Sequence, residues 1–357
     1  MKSLLVSSVQ AHSGKSALCL GLGLCFREKG MKVGYFKPLG IQTIGVGERI
    51  VDEDADQAKS AFGLKETLDE ISPVMISPEV YLGALSGKDG LEKRIVSSYA
   101  RVSAEKDVVL IDGIGDFRAG RLLNLSDADT AVLLGAKILL ISLYDSVYML
   151  DELLSTVDAI RRHEKNGGRI LAGVVFNQVP SGEMDELRAK VIPFLKSQGV
   201  EVFGVLPKDK LLKSVQVKDI VEELHGETLT GKENTGVFIE SFLVGAMSPM
   251  HAMKYFRRRM NTAVVTGGDR SDIQLAAIES NVSCIVLTGN LAPTAPILAR
   301  ADELKIPIIL VKDDTLSTVE RMDALLKRLQ VKGDVKIRRI TDLIKGGVDL
   351  SGIDKLL

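Results

Sequence analysis

The chain contains no tryptophan, and its aromatic residues together make up 4% of 357 positions. A groove that binds single-stranded nucleic acid by base stacking needs aromatic platforms that this composition scarcely supplies. Cysteine is equally sparse. Cys19, Cys25 and Cys284 form neither a paired framework nor a zinc-binding spacing, which leads us to expect a reducing, cytoplasmic location. No run approaches the ~20 apolar residues of a membrane helix, and Leu4-Leu5-Val6 is too short for the core of a signal peptide. Neither membrane nor export is expected. An excess of one charge is also missing: 46 lysines and arginines stand against 47 aspartates and glutamates. Such a balance gives no field to attract a polyanion, so nucleic acid is not an expected partner.

What the chain does have is 45% hydrophobic residues, enough to build two cores at ordinary domain size. Short, continuous apolar runs at 3–7, 32–37, 108–112, 138–143, 170–177 and 202–206 read as strands. Segments with helical spacing, such as 16–29 and 55–62, lie between them. Strands that are apolar throughout are buried on both faces, so the expected fold is α/β, a doubly wound, mostly parallel sheet. After Pro207 the chain turns polar and charged as far as Asn234. A second, smaller α/β alternation follows, with strands at 236–244, 262–265, 284–287 and 306–311 and helices at 271–280 and 295–304. The expected domains are 1–212, 213–330 and an extension at 331–357; a helix at 317–329 precedes the last boundary and a strand at 335–340 follows it.

The first chemical signal is Ser13-Gly14-Lys15-Ser16, which stands between an apolar strand and a helix. Gly14 lets the backbone approach an anion, and the helix-start amides point at it. Lys15 adds positive charge, and Ser16 offers a hydroxyl to Mg²⁺. The usual phosphate loop has a glycine where this chain has Val9. Asp112 closes the run Val108-Val109-Leu110-Ile111 at the carboxyl edge of the sheet, a position suited to holding Mg²⁺. Gly113-Ile114-Gly115-Asp116 follows it.

These motifs resemble the dethiobiotin synthetase-like P-loop domain at the N-terminus of long phosphotransacetylases, followed by a DRTGG domain. The resemblance covers roughly residues 1 to 330. The dethiobiotin synthetase loop is one residue longer than the standard loop, so its first glycine falls at Ser8 here, a departure. Tyr35-Phe36-Lys37-Pro38-Leu39-Gly40 matches the family's lysine-proline motif, Asp54-Ala55-Asp56 its acidic metal-binding segment, and Phe176-Asn177-Gln178-Val179 the segment that meets adenine. The resemblance therefore implies ATP and Mg²⁺ as ligands. Lys15 and Lys37 would act on the phosphates, with Ser13, Gly14, Lys15, Ser16 and Asn177 around the nucleotide. Ser16, Asp112 and one of Asp54 and Asp56 would hold the metal.

In the second domain, Gly267-Gly268-Asp269-Arg270 lies between a strand and a helix and carries the DRTGG resemblance. It is a candidate ligand site, unless Arg270 pairs with a neighbouring aspartate instead. Met247, Met250 and Met253 beside Arg257-Arg258-Arg259 suggest a homo-oligomer contact if they are not core. In the phosphotransacetylases acetyl transfer belongs to a further domain, so these residues are not expected to transfer acetyl groups by themselves. The expected function is a Mg²⁺-dependent, ATP-binding regulatory protein, with a metabolic enzyme as a candidate partner. The alternative is an ATP-dependent ligase of the dethiobiotin synthetase or cobyrinic acid a,c-diamide synthase type, acting on a small carboxylate.

Overall fold

The computed structural model describes residues 2–41, 43–46, 49–87, 90–164, 168–327 and 331–357, without the side chains of 43–46, 49, 50 and 327. It divides into two units, Met1–Lys208 with Val331–Leu357, and Asp209–Gln330. Among the described residues no helix is long and apolar enough to cross a membrane.

The first unit is built on β1 (Lys2–Ser8), β2 (Val33–Phe36), β3 (Val108–Asp112), β4 (Lys137–Leu143), β5 (Leu171–Val179) and β6 (Val202–Pro207). Leu4–Val6, Val108–Ile111, Ile138–Ile141 and Val174–Phe176 are almost wholly buried, as unbroken apolar strands must be when helices cover both faces. The six strands form one sheet in the order β6-β5-β4-β1-β3-β2, and every pair is parallel. The chain leaves β1 toward β2 and later builds outward on the other side. Strand order therefore reverses at β1, where open α/β sheets form a crevice beyond the strand ends. Three helices frame that crevice: α1 (Lys15–Glu28), α2 (Glu53–Phe62) and α3 (Asp127–Leu134).

Residues 331–357 belong to this unit. The strand expected at 335–340 is instead part of a helix, α5 (Asp334–Gly347). Val335-Lys336-Ile337 alternates like a strand, but Ile337, Ile340 and Ile344 repeat at helical spacing, and that stripe decides the outcome. The helix α5 packs along α1, and Val348 bridges to Gly204 in β6.

The second unit contains a five-stranded sheet. Its strands, β7 (Glu227–Thr230), β8 (Ser241–Val244), β9 (Thr262–Gly267), β10 (Cys284–Thr288) and β11 (Ile308–Leu310), run in the order β7-β11-β10-β9-β8. Only β7 is antiparallel. It lies in the polar stretch before Asn234, where composition alone suggested a boundary. Helix α4 (Ser271–Glu279) follows β9. The helix expected at 317–329 runs Thr315–Lys327, and positions 328 and 329 lie outside the described residues.

Candidate functional site

Most helices near the crevice close their own amino ends. Asp52 caps α2 by accepting from the Ala55 N–H, and Ser126 caps α3 in a box with Asp129. The start of α1 differs: Gly14 precedes it in the left-handed region at φ 96° and supplies no side-chain cap. The Val9 N–H bonds to the Ile141 carbonyl and the Leu18 N–H to the Gly14 carbonyl. Between them, where residues 11 and 12 form a turn, no backbone N–H from residue 10 to residue 17 makes a well-formed hydrogen bond among the described residues. His12, at φ 56°, helps to curl this segment. The result is a row of donors without well-formed protein partners at the positive end of a helix, an arrangement suited to an anion. Ser13 adds a buried hydroxyl with no partner among the described residues.

Lys15 is buried beside the loop. Its ammonium donates to Ser8 Oγ at 2.9 Å and also to the Gly115 carbonyl. Ser8, at the position where the resemblance led us to expect a glycine, thus serves as a partner of the loop lysine and itself donates to Gly115 O at 3.1 Å.

Across the crevice, Lys37 meets three carboxylates: Asp54, Asp112 Oδ2 at 3.3 Å and Asp52 Oδ1 at 3.4 Å. Burial works against its charge, but Asp112, Asp54 and Asp52 prevail and hold its pKa well above the usual lysine value. For Asp54 burial pushes upward, yet Lys37 and Ser16 bring the carboxyl below its usual range. Burial wins at Asp52, which is raised. Ser16 Oγ lies 2.8 Å from both Asp54 Oδ2 and Asp112 Oδ2, and the Tyr35 hydroxyl donates to Asp112 Oδ2 at 2.8 Å. Asp56 makes none of these bonds.

Asp112 Oδ1 is buried and has no partner among the described residues. A hydroxyl and carboxylate oxygens, one of them unsatisfied, form a hard donor set that fits Mg²⁺. Ser16, Asp54 and Asp112 would hold the ion, which would offset phosphate charge. Among the described residues no group of three or more His, Cys, Asp or Glu is arranged to hold a metal on its own.

Sequence reasoning gave no role to Asp127. Its carboxylate accepts from Ser7 Oγ at 2.6 Å and from the Ile114 N–H at 3.0 Å, directly beneath the turn after β3. Gly113 fits there because a Cβ would meet the Asp127 carboxylate at 2.4 Å. Burial raises the Asp127 carboxyl to about 7. Its only signal in the sequence was Ser126-Asp127-Ala128-Asp129, which reads as a helix start. Asp52, adjacent to the family's acidic segment, was missed in the same way.

Asn177 ends up behind the loop. Its amide donates to the Ser13 carbonyl at 2.8 Å, and its Oδ1 accepts from the Gln178 N–H at 2.9 Å, steadying Gln178 at φ 59°. Because the C=O and N–H of a peptide plane point in opposite directions, holding the Ser13 carbonyl turns the Gly14 N–H the other way.

In the second unit, Gly267 to Arg270 join β9 to α4. Arg270 pairs with Asp272 through Nε at 3.0 Å and Nη2 at 3.2 Å, so its guanidinium is engaged locally. The Gly268 N–H bonds to Thr288 O, Gly289 N–H to Asp313 O and Asn290 N–H to Val311 O, which ties the strand-end loops to one another. Gln274 sits under this turn and donates to the Gly267 and Gly268 carbonyls.

Comparison with known proteins agrees with this division. An AAA domain family matches residues 2–216 and a DRTGG domain matches residues 219–325. The chain belongs to that AAA domain family. It is 25% identical over 358 residues to a phosphate acetyltransferase of Synechocystis, covering 97% of this chain and 50% of the relative. A phosphate acetyltransferase of Nitratidesulfovibrio vulgaris is 23% identical, with 99% and 51% covered. The chain thus spans about half the length of these curated relatives, and the P-loop and DRTGG pair is consistent with the N-terminal region of long phosphotransacetylases. Among solved structures, the CBS and DRTGG domains of the regulatory region of Clostridium perfringens pyrophosphatase match at TM-score 0.30 and 16% identity, covering 43% of this chain and 73% of that one. The MinD cell division protein of Aquifex aeolicus matches at TM-score 0.35 and 14% identity, covering 59% and 84%.

Proposed function

We propose that the first unit binds ATP with Mg²⁺ and that the chain is a regulatory, ligand-sensing protein. The observation that carries this reading is the row of N–H groups from residue 10 to residue 17 that lack well-formed partners among the described residues, set against Lys15 on one side and the carboxylates of Asp54 and Asp112 on the other. Those carboxylates would repel a triphosphate unless a divalent cation stood between them, so binding should depend on the metal. ATP titrated calorimetrically into the full chain should bind tightly with Mg²⁺ and at least tenfold more weakly in EDTA, and Asp112→Asn should erase most of that difference. Equal affinities in Mg²⁺ and EDTA would sink the metal role.

Regulation is favoured over ligation of a carboxylate because Lys37, the lysine that a carboxylate substrate would need, is engaged by anions already on the site, the three aspartates or a bound triphosphate. The activity named for the relatives belongs to proteins about twice this span. We propose that these residues contribute nucleotide response, not acetyl transfer, and that a metabolic enzyme reads the response. Self-association through the second unit is part of the same reading, supported by exposed Met247, Met250, Tyr255 and Met260. Light scattering on Met250→Glu and Met260→Glu variants should report a smaller particle than the unaltered chain; an unchanged mass would reject this face. A ligand at Gly267, Gly268, Asp269 and Arg270 remains part of the proposal, and it would have to draw Arg270 away from Asp272.

A further inference from the structure

We propose that Lys37 is an internal counter-ion for the metal position, so that a divalent cation and the Lys37 ammonium compete for the same carboxylate oxygens. The proposal rests on the Mg²⁺–ATP reading above and deepens it. Lys37 is 3% exposed, and its ammonium contacts Asp54 Oδ2, Asp112 Oδ2 and Asp52 Oδ1. The first two of these oxygens are also the ones to which Ser16 Oγ lies at 2.8 Å. A hydroxyl carries one proton and donates to only one of them at a time. The ammonium is therefore what keeps Asp54 and Asp112 together around Ser16.

One ammonium in contact with three carboxylates, with Lys15 the other buried cation acting on Asp54, leaves the cluster under-neutralised, and Asp112 Oδ1 stays buried without a partner among the described residues. A divalent ion would supply twice the charge to the same oxygens, but two cations cannot occupy the position together. The backbone of Lys37 is fixed by its N–H bond to Ile71 O at 2.8 Å, so the adjustment falls to the flexible side chain. In the absence of nucleotide a displaced ammonium would lose its buried partners with nothing in exchange, and the metal binds weakly. A triphosphate on the loop offers that ammonium new anionic partners. Metal and nucleotide therefore strengthen each other's binding, and Lys37 carries the coupling.

The experiment is a Mn²⁺ titration followed by electron paramagnetic resonance on the full chain, with and without ATP. Unaltered protein should bind Mn²⁺ weakly alone and at least tenfold more tightly with ATP. Lys37→Gln should bind Mn²⁺ at least tenfold more tightly than unaltered protein without nucleotide, with most of the ATP effect gone. Equal or weaker Mn²⁺ binding by Lys37→Gln overturns the proposal. If Lys37→Gln does not fold, because three buried carboxylates lose their cation, Lys37→Gln/Asp52→Asn removes one of those charges and is held to the same criterion. Adding Asp112→Asn to either variant must abolish the gain; a gain that survives puts the metal elsewhere and also overturns it. The two readings fail separately. Tight Mn²⁺ binding in Lys37→Gln without ATP binding in unaltered protein defeats the nucleotide reading and keeps the competition, whereas Mg²⁺–ATP binding with no Mn²⁺ gain does the reverse.

Discussion

The two units end their parallel strands in opposite states. In the first, the loop after β1 leaves its N–H groups without protein partners among the described residues, and ionisable side chains are buried: Lys15, Lys37, Asp52, Asp112 and Asp127 are each at most 8% exposed. In the second, the corresponding loops bond to one another through Gly268, Gly289 and Asn290, and Arg270 and Asp272 pair near solvent. Parallel strand ends alone therefore do not make equivalent sites: strand order reverses at β1 in the first sheet, and the parallel strands β8 to β11 of the second follow one another without a reversal. The difference lies in where the polar groups find partners: the first unit withholds them from some buried groups, and the second supplies them locally.

The sharpest way to break this comparison is to neutralise a buried charge in the first unit. Asp127 sits at about 7 in the fold, against about 3.9 in an unfolded chain. The raised value means that the fold prefers the protonated acid, so this stabilising contribution is complete below about pH 4 and is lost as pH rises through about 7. At ~1.4 kcal/mol per pKa unit the loss approaches about 4 kcal/mol, and Asp127→Asn should escape it. Thermal melts at several pH values should show the variant gaining on the unaltered protein from about pH 5 to about pH 8. Parallel curves would contradict the burial argument.

Next comes Lys15→Ala, which should weaken ATP binding about a hundredfold, or ~3 kcal/mol, as expected for removal of a buried partner of a charged ligand. Calorimetry would measure it, and an unchanged affinity would move the site. Asn177→Ala loses one hydrogen bond, so a three- to tenfold loss, about 0.5–1.5 kcal/mol, is expected. The clamp on Ser13 predicts that ATP and GTP weaken alike. Base recognition predicts that their affinities converge instead. The smallest effect belongs to the second unit: Arg270→Ala should leave both ATP affinity and melting temperature unchanged, because an exposed ion pair contributes little. A clear loss of ATP affinity there would erase the contrast between the units.

Much of the first unit could be read from residues alone, because continuous apolar strands and a Gly-Lys-Ser turn are local signals. The strand at 108–112 and the helix after Gly14 are of that kind. What escaped depends on distant partners. Asp127 reads as a helix start until the fold brings Ser7 and Ile114 onto it. Asn177 carries no local sign that it will hold Ser13, 164 positions away. Nor does composition reveal that residues 331–357 return to the first unit after the second is complete. The misread strand at 335–340 shares that cause, since the buried stripe on α5 acquires its meaning only against α1.

The most direct test of the central claim, that the unpaired donors of the first unit are the nucleotide site, is amide hydrogen exchange on the full chain with and without Mg²⁺–ATP. Protection should rise across residues 10–17 and stay level across 267–291. Protection confined to the strand-end loops of the second unit, with residues 10–17 exchanging as before, would contradict it.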